Sequence, residues 1–438
     1  MGTTVSKKVL VITYYWPPAG GVAVQRWLKF VKYLRSYGWE PIVYTPENPE
    51  NFYEDTSLQR DIPDQLQVLK TRIWEPYNIY KWLTGRKNEK LGLGFADAKK
   101  GKGPLDHFMV WLRGNLLIPD PRMFWVNPSV RFLSGYIRRY PVDAIVTTGP
   151  PHSLHLIGLK LKRKLHIPWL ADFRDPWTNI DYYSELHLTI LADWLHRRLE
   201  RKVLRLADAT TVVSQQMRIE FEKIRNGRVA VIPNGFDSDD IPKIDIPKPE
   251  GFTITYVGTM NKARNPEVLW KALGNICSLN KEFAKNLVIT IAGQVDASVE
   301  KSLRENDVWE NYRFMGTIPH NEAMALLVKS SVLLLVVNNA PNAKGIVTGK
   351  FFEYLATGHR ILAIGPTDGD LANILKQTGA GQIIDYNDID GAKQIITHYY
   401  QLYKSNSLEL QRGAIDTYSR KALTGQLANT LNKLIDAK

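Results

Sequence analysis

Apolar residues along this 438-residue chain fall into two patterns: short unbroken runs, and runs spaced three and four apart. Unbroken runs of Val, Ile and Leu read as strands buried on both faces, and spaced runs as helices with one buried face. The first strand covers residues 9–14. Val24, Leu28, Val31 and Leu34 then recur at helical spacing over about 22–37, and Gly38 is placed to end that helix. A strand over 41–45 completes a βαβ unit, which implies a parallel sheet with a right-handed crossover. Residues 50–128 break the rhythm; they are rich in Trp, Tyr, Lys and Arg, and Lys99-Lys100-Gly101-Lys102-Gly103 reads as a loop. Alternation resumes with strand 144–148, helix 152–165, strand 169–172, helix 188–206, and strands 209–213 and 229–232.

A stretch holding Pro242, Pro247 and Pro249 reads as a linker over 236–251. The second series follows at once: strand 252–257, helix 266–273, strand 288–292, helix 299–305, strand 313–314, helix 321–328, strand 332–337, helix 350–357, strand 361–364, helix 371–377 and strand 382–384. A helix over about 419–438 ends the chain. The expected class is α/β, with two Rossmann-like doubly wound domains, 1–235 and 252–418. In such sheets ligands sit at the carboxyl ends of strands, so the expected site is a cleft where the two domains face each other.

The single cysteine, Cys277, allows no intramolecular disulfide and no zinc-finger cluster, and the expected location is cytoplasmic. No apolar run approaches the ~18–20 residues of a spanning helix. The net charge of +13 is uneven: residues 1–240 hold 35 Lys and Arg against 25 Asp and Glu, residues 241–438 hold 22 against 19. A phosphorylated ligand, an anionic membrane surface, nucleic acid or a merely solvated basic face each accounts for that excess. No nucleic-acid-binding module is evident, so nucleic acid is not an expected partner.

Candidate chemistry lies where strands end. Gly20-Gly21, between the first strand and first helix, lets a bound group approach the backbone beside a helix N-terminus; an ordinary βα turn would place glycines there too. Lys262 and Arg264 follow the first strand of the second domain and suit a diphosphate, the alternative being solvated loop cations. In Thr348-Gly349-Lys350-Phe351-Phe352-Glu353, Thr348 is placed to cap a helix, Gly349 and Lys350 to meet phosphate or sugar oxygens, and Glu353 to accept from ribose hydroxyls. The plain alternative is a Lys350–Glu353 surface pair. In the first domain His152, Arg174 and Asp175 follow strands and are the ionisable groups placed for acceptor chemistry or leaving-group charge; a backbone-bonded histidine and a structural ion pair are the alternatives.

Pro17-Pro18-Ala19-Gly20-Gly21, Asp172-Phe173-Arg174-Asp175-Pro176-Trp177, Val231-Ile232-Pro233-Asn234-Gly235-Phe236-Asp237, the Gly258 region and Gly349-Lys350-Phe351-Phe352-Glu353-Tyr354-Leu355 arrive in one order. In this the sequence resembles GT-B glycosyltransferases of glycosyltransferase family 4, of the bacterial envelope-polysaccharide type. The resemblance implies a retaining hexosyltransferase that uses no metal and no cofactor. Its substrates would be a nucleotide sugar, such as a UDP- or GDP-sugar, and a glycan or lipid-linked acceptor. It further implies that Gly20 and Gly21 meet diphosphate or acceptor, that Lys262 and Arg264 neutralise the diphosphate, that Glu353 holds the ribose, and that the turn at Ile318 meets the base. The final helix is expected to cross back to the first domain. One departure stands out: many relatives carry a second glutamate eight positions before the first-named one, and here that position is Gly345. A nucleotide-sugar 2-epimerase of the same fold and a weakly active nucleotide-sugar-binding partner subunit are the alternative readings. The aromatic and basic 74–140 segment, with Trp74, Tyr77, Trp82, Trp111, Arg113, Arg122 and Trp125, is an expected peripheral contact with the inner face of the plasma membrane; ordinary buried aromatics are the alternative.

Overall fold

The computed structural model describes residues 6–50, 54–76, 104–180, 182–225, 229–241, 251–408, 410 and 414–436. The chain divides into two compact units, Met1–Pro233 with Arg420–Lys438, and Asn234–Ser419.

The first unit is built on a parallel seven-stranded sheet: β1 (Lys7–Ile12), β2 (Trp39–Pro46), β3 (Gln67–Thr71), β4 (Ala144–Gly149), β5 (Trp169–Phe173), β6 (Ala209–Val212) and β7 (Ala230–Val231), in the order β3-β2-β1-β4-β5-β6-β7. Val9 to Ile12 are all fully buried because both faces of β1 are covered. Val9 and Val11 pack with Val24, Leu28 and Val31 of helix Val22–Leu34 and with Leu423, Leu427 and Leu431 of the last helix, Arg420–Asp436. Leu10 and Ile12 point the other way, to Leu133 and Ile137 of helix Val126–Arg139 and Leu154, Ile157 and Leu161 of helix Ser153–Leu165. This is the strand period of two acting on a strand with helices on both sides.

The second unit repeats the plan with six parallel strands: β8 (Phe252–Val257), β9 (Leu287–Ala292), β10 (Tyr312–Phe314), β11 (Val332–Val336), β12 (Arg360–Ile364) and β13 (Gly381–Ile384), ordered β10-β9-β8-β11-β12-β13. Leu334 and Val336 join one core layer, Leu333 and Leu335 the other. In both sheets the order reverses direction beside the first strand, between β1 and β4 and between β8 and β11. The carboxyl ends there are the natural crevice of a doubly wound sheet.

Where the sequence rhythm fails over 50–128, the chain still contributes β3 at the sheet edge, a helix Pro104–Asn115 and a 3-10 turn Pro121–Trp125. The expected membrane contact through this segment needs correcting at two residues. Trp125 is buried, stacked on Tyr44 at 4.9 Å, and Arg122 is buried in an ion pair with Glu75 at 2.9 Å. Tyr77, Trp82 and the 99–103 loop lie outside the described residues, as do residues 242–250 of the expected linker. Residues on either side of those are placed: Phe236 is buried, and its N–H donates to Tyr418 O at 3.1 Å within the second unit.

Candidate active site

In the first unit, the loop leaving β1 is pinned from behind by the Asp55 N–H, which donates to Pro18 O at 2.8 Å. It ends at Gly21, whose φ of 95° is left-handed and whose added Cβ would meet nothing within 4 Å. Backbone conformation, then, is what requires glycine there, and the space in front of the helix start is open. Helix Val22–Leu34 turns Arg26 and Trp27 inward onto Asp172 of β5. That carboxylate accepts from Arg26 Nη2 (2.7 Å) and Nε (3.2 Å), Trp27 Nε1 (2.8 Å), Thr148 Oγ1 (2.9 Å) and Thr211 Oγ1 (2.8 Å). Burial pulls its pKa up, but the Arg26 guanidinium and the donors outweigh burial and hold it at about 2. Asp172 thereby ties β4, β5, β6 and the first helix into one frame.

Arg174 and Asp175 leave that frame. Arg174 N donates to Gly149 O at 2.9 Å, its guanidinium donates to Pro150 O, and it lies 5.5 Å from the centre of the Tyr15 ring. Burial lowers its pKa, against the pull of Asp175, which is exposed. His152 is the residue before helix Ser153–Leu165, and Asp120 caps the helix by accepting from Ser153 N at 2.8 Å and Ser153 Oγ at 2.9 Å. The His152 ring stacks on Trp177 at 4.8 Å and 3°. Burial, with His155 and Arg174 beside it, holds its pKa well below the usual histidine value, so it is neutral at pH 7. The ends of β4 and β5 thus bring His152 and Arg174 together, and Gly20-Gly21 follows the neighbouring β1.

In the second unit the loop after β8 starts at Gly258, with φ 121°. A Cβ there would collide with the Lys350 ammonium, so only glycine lets that lysine lie over the strand end. Lys350 Nζ sits 5.0 Å from the Tyr256 ring centre. Burial and the charge of Arg264 pull its pKa down to about 8, against the attraction of Glu353. Arg264 is aimed by its Nε donating to Asn338 Oδ1 at 2.8 Å. Helix Gly349–Thr357 is held to β8 by Val257 N donating to Tyr354 Oη at 3.0 Å, and ends in Gly358 with φ 77°. Lys262 stands exposed on the same loop as Arg264. Gly349 is the first helical residue and Glu353 is half-buried one turn on. Ile318, half-buried, follows β10 beyond Gly316, whose carbonyl accepts from Gly293 N at 2.7 Å at the end of β9. The structure therefore gathers Lys350, Arg264 and Glu353 around the β8–β11 switch, with Lys262 beside them and Ile318 two strands away. Thr348 occupies the cap position, but its hydroxyl makes no capping bond, contrary to the sequence expectation.

Among solved structures, sucrose-phosphate synthase from Thermosynechococcus elongatus is similar with a TM-score of 0.60 and 15% identity, over 99% of this chain and 100% of that one. TarM is similar at 0.59 and 10%, over 99% and 100%. The lipopolysaccharide outer core galactosyltransferase WaaB is similar at 0.55 and 13%, over 97% and 99%. At such identities the likeness establishes the fold. No curated protein sequence matches the chain. Residues 95–240 match the sequence model of Glycosyltransferase Family 4. The chain thus has the GT-B fold, and over that segment it is similar to glycosyltransferase family 4.

In the second unit, Gly345 ends a tight turn, Ala343–Gly345, whose Lys344 pairs with Asp368 at 2.5 Å. No carboxylate stands at that position. Two buried atoms near it in sequence, Asn342 Oδ1 and Thr348 Oγ1, have no hydrogen-bond partner. Such atoms carry a desolvation cost that a ligand hydroxyl would relieve. Sequence reasoning missed Asn342 for want of a charged side chain, missed His155, and passed over Arg26 and Asp172 as a pair because they are far apart in the chain.

Proposed function

We propose that this protein is a retaining, metal-independent hexosyltransferase that moves a sugar from a UDP- or GDP-sugar to a glycan or lipid-linked acceptor in cell-envelope polysaccharide synthesis. One observation carries the reading: a half-buried lysine, Lys350, lies over Gly258 at the switch of the second sheet beside a second cation, Arg264, and at a helix N-terminus. Two cations and a helix start converge there, with half-buried Glu353 one turn on, and such a convergence is the electrostatic complement of a diphosphate. In this reading the bond from the sugar's anomeric carbon to the phosphate oxygen breaks, and its electron pair leaves on the nucleoside diphosphate. Lys350, Arg264 and Lys262 stabilise that charge. The acceptor oxygen bonds to the same face of the sugar and its proton passes to the departing phosphate. Glu353 holds the ribose, the turn at Ile318 meets the base, and His152, Arg174, Asp175 and Gly20-Gly21 serve the acceptor and the transferred sugar.

An anionic membrane surface is the proposed docking partner, through residues other than those first expected. Phe108 and Leu116 are exposed, as are Ile190 (92%), Leu191 (66%) and Trp194 (49%) at the start of helix Ile190–Leu206. The two segments are stitched by Asn115, which accepts from Thr189 N at 2.7 Å and donates to His187 O at 3.3 Å. Arg197, Arg198, Arg201, Lys202 and Arg205 follow on the same helix. Among the described residues no helix is long and apolar enough to cross a membrane. An apolar tip with a basic flank suits the surface of an anionic bilayer.

Thermal melting against a panel of nucleotides and nucleotide sugars tests the reading, with and without EDTA, on the wild type and Glu353→Ala. A rise of several degrees with one nucleotide series, unaffected by EDTA and absent in Glu353→Ala, is the expected result. Donor consumed without any acceptor would favour the epimerase; binding without turnover would favour the partner subunit.

A further inference from the structure

The main chain of Arg264 is fixed before its side chain is aimed. The residue closes the 3-10 turn Lys262–Arg264, and its N–H donates to Asn261 O at 2.9 Å. Asn265 ties the turn down, accepting from Trp270 Nε1 at 2.8 Å and donating to Ser302 Oγ at 2.9 Å. The guanidinium then makes two bonds. Its Nε donates to Asn338 Oδ1 at 2.8 Å and its Nη1 to Thr259 O at 3.3 Å. Because Nε can only donate, the Asn338 amide must turn its oxygen to the arginine. Asn338 follows the end of β11 and Arg264 the end of β8, so the first bond joins the two lips of the switch. Asn338 is braced in turn: Tyr386, beyond β13, donates from Oη to Asn338 O at 3.2 Å. Tyr256 Oη, at the end of β8, donates to the same Thr259 carbonyl at 2.9 Å.

Both acceptors are neutral. A carboxylate is the stronger partner for a guanidinium, but it would cancel the charge it aims. Among the described residues Arg264 has no carboxylate partner. Its Nη2 makes no hydrogen bond among them either, and it is not one of their sealed, unpaired atoms, so it is open to solvent. The uncancelled charge reaches the strand end, where it adds to burial in lowering the pKa of Lys350. We propose that Asn338, braced by Tyr386, is a positioning residue that aims Arg264 without neutralising it, leaving Nη2 and the whole positive charge to a phosphate of the ligand. The proposal rests on the reading of this crevice as a diphosphate site. An aspartate at 338 would aim the arginine and cancel its charge. An alanine would keep the charge and free the side chain, whose rotamers would then have to be frozen on binding.

The test is calorimetric titration of the full chain with inorganic pyrophosphate, UDP-glucose and GDP-glucose. Asn338→Ala should weaken binding about tenfold, on the scale of one hydrogen bond to a charged group, and Asn338→Asp at least as much. In an Arg264→Ala background Asn338→Ala should cost nothing further, because its effect passes through the arginine. A second arm needs no ligand: proton–nitrogen NMR with nitrogen-labelled arginine, the Arg264 Nε–H signal being assigned with Arg264→Lys. That proton should exchange slowly in the wild type and in Asn338→Asp, and fast in Asn338→Ala. Wild-type affinity in a folded Asn338→Ala overturns the proposal. So does an undiminished loss in the Arg264→Ala background, which would make Asn338 a prop of the loop and not of the guanidinium. A wild type that binds none of the three probes would count against the diphosphate reading, and with it against the role given to Nη2. The arginine signal then decides whether Asn338 holds the side chain, and fast exchange in the wild type would refute that.

Discussion

Lys350 makes donor binding depend on pH in a way that can be worked out beforehand. Burial and Arg264 hold the unliganded side chain at about 8. About nine in ten molecules then carry the charge at pH 7, and about one in ten at pH 9. A diphosphate laid against the ammonium raises the pKa again, so binding is linked to proton uptake. Affinity should be full below pH 7 and weaken about tenfold by pH 9, roughly 1.4 kcal/mol, with about half a proton taken up per ligand near pH 8. The ligand should be a nucleotide sugar, whose diphosphate is esterified at both ends and does not titrate in this range. Tyr256, against which Lys350 rests, is pushed upward by burial and so does not intrude. Calorimetry in two buffers of different ionisation enthalpy reads both quantities. Lys350→Arg is the control, because its charge persists and any titration of the base is common to both proteins. Affinity that is flat from pH 7 to 9 in the wild type, or a slope that survives in Lys350→Arg, would refute the placement of the diphosphate.

Other outcomes follow from the same packing. Gly258→Ala should weaken nucleotide-sugar binding and cost about 1–3 kcal/mol in urea unfolding, since φ 121° strains a Cβ that also displaces Lys350. Asp172→Asn should cost about 3–5 kcal/mol by the same measurement, because it strands the buried Arg26 charge. His155 titrates at about 3 when folded and near its ordinary value when unfolded, so the unfolded chain binds the extra proton in between. Stability should therefore fall as pH drops below about 6.5, by about 1.4 kcal/mol per unit for this residue. The raised carboxyls of Glu75 and Glu200 act in the opposite sense, so the check is a shallower slope in His155→Gln than in the wild type. Ile190→Ser with Trp194→Ser should reduce sedimentation with anionic vesicles, and added salt should reduce that of the wild type; neutral vesicles should bind neither protein appreciably.

The two sheets were readable because their central strands are buried on both faces and so appear as unbroken apolar runs, as at Val9 to Ile12 and Leu333 to Val336. β3 was not, since an edge strand with one neighbour tolerates Gln67 and Lys70. Arg122 and Trp125 looked like surface groups because composition does not reveal that Glu75 and Tyr44 await them in the interior. The second unit's cations were legible by their place after β8 and at a helix start. Asn342 was not, because a neutral amide announces no chemistry until its oxygen is found sealed and unpaired. His155 lies one helical turn beyond His152, and only the fold reveals that it meets Thr147 of the neighbouring strand.

The last helix, Arg420–Asp436, belongs to the unit that the chain began, and its Leu423, Leu427 and Leu431 cover Val24, Leu28 and Val31. During synthesis that stripe is made first and its cover only after the whole second unit. The second unit, by contrast, has its entry and exit segments clasped together where Phe236 bridges Ser419. It is an insertion that closes on itself, and it can fold while the first unit still lacks one layer. The nascent protein therefore carries an open apolar seam until residues 420–436 emerge, and a ribosome stalled just short of them would display that seam to chaperones and to other chains.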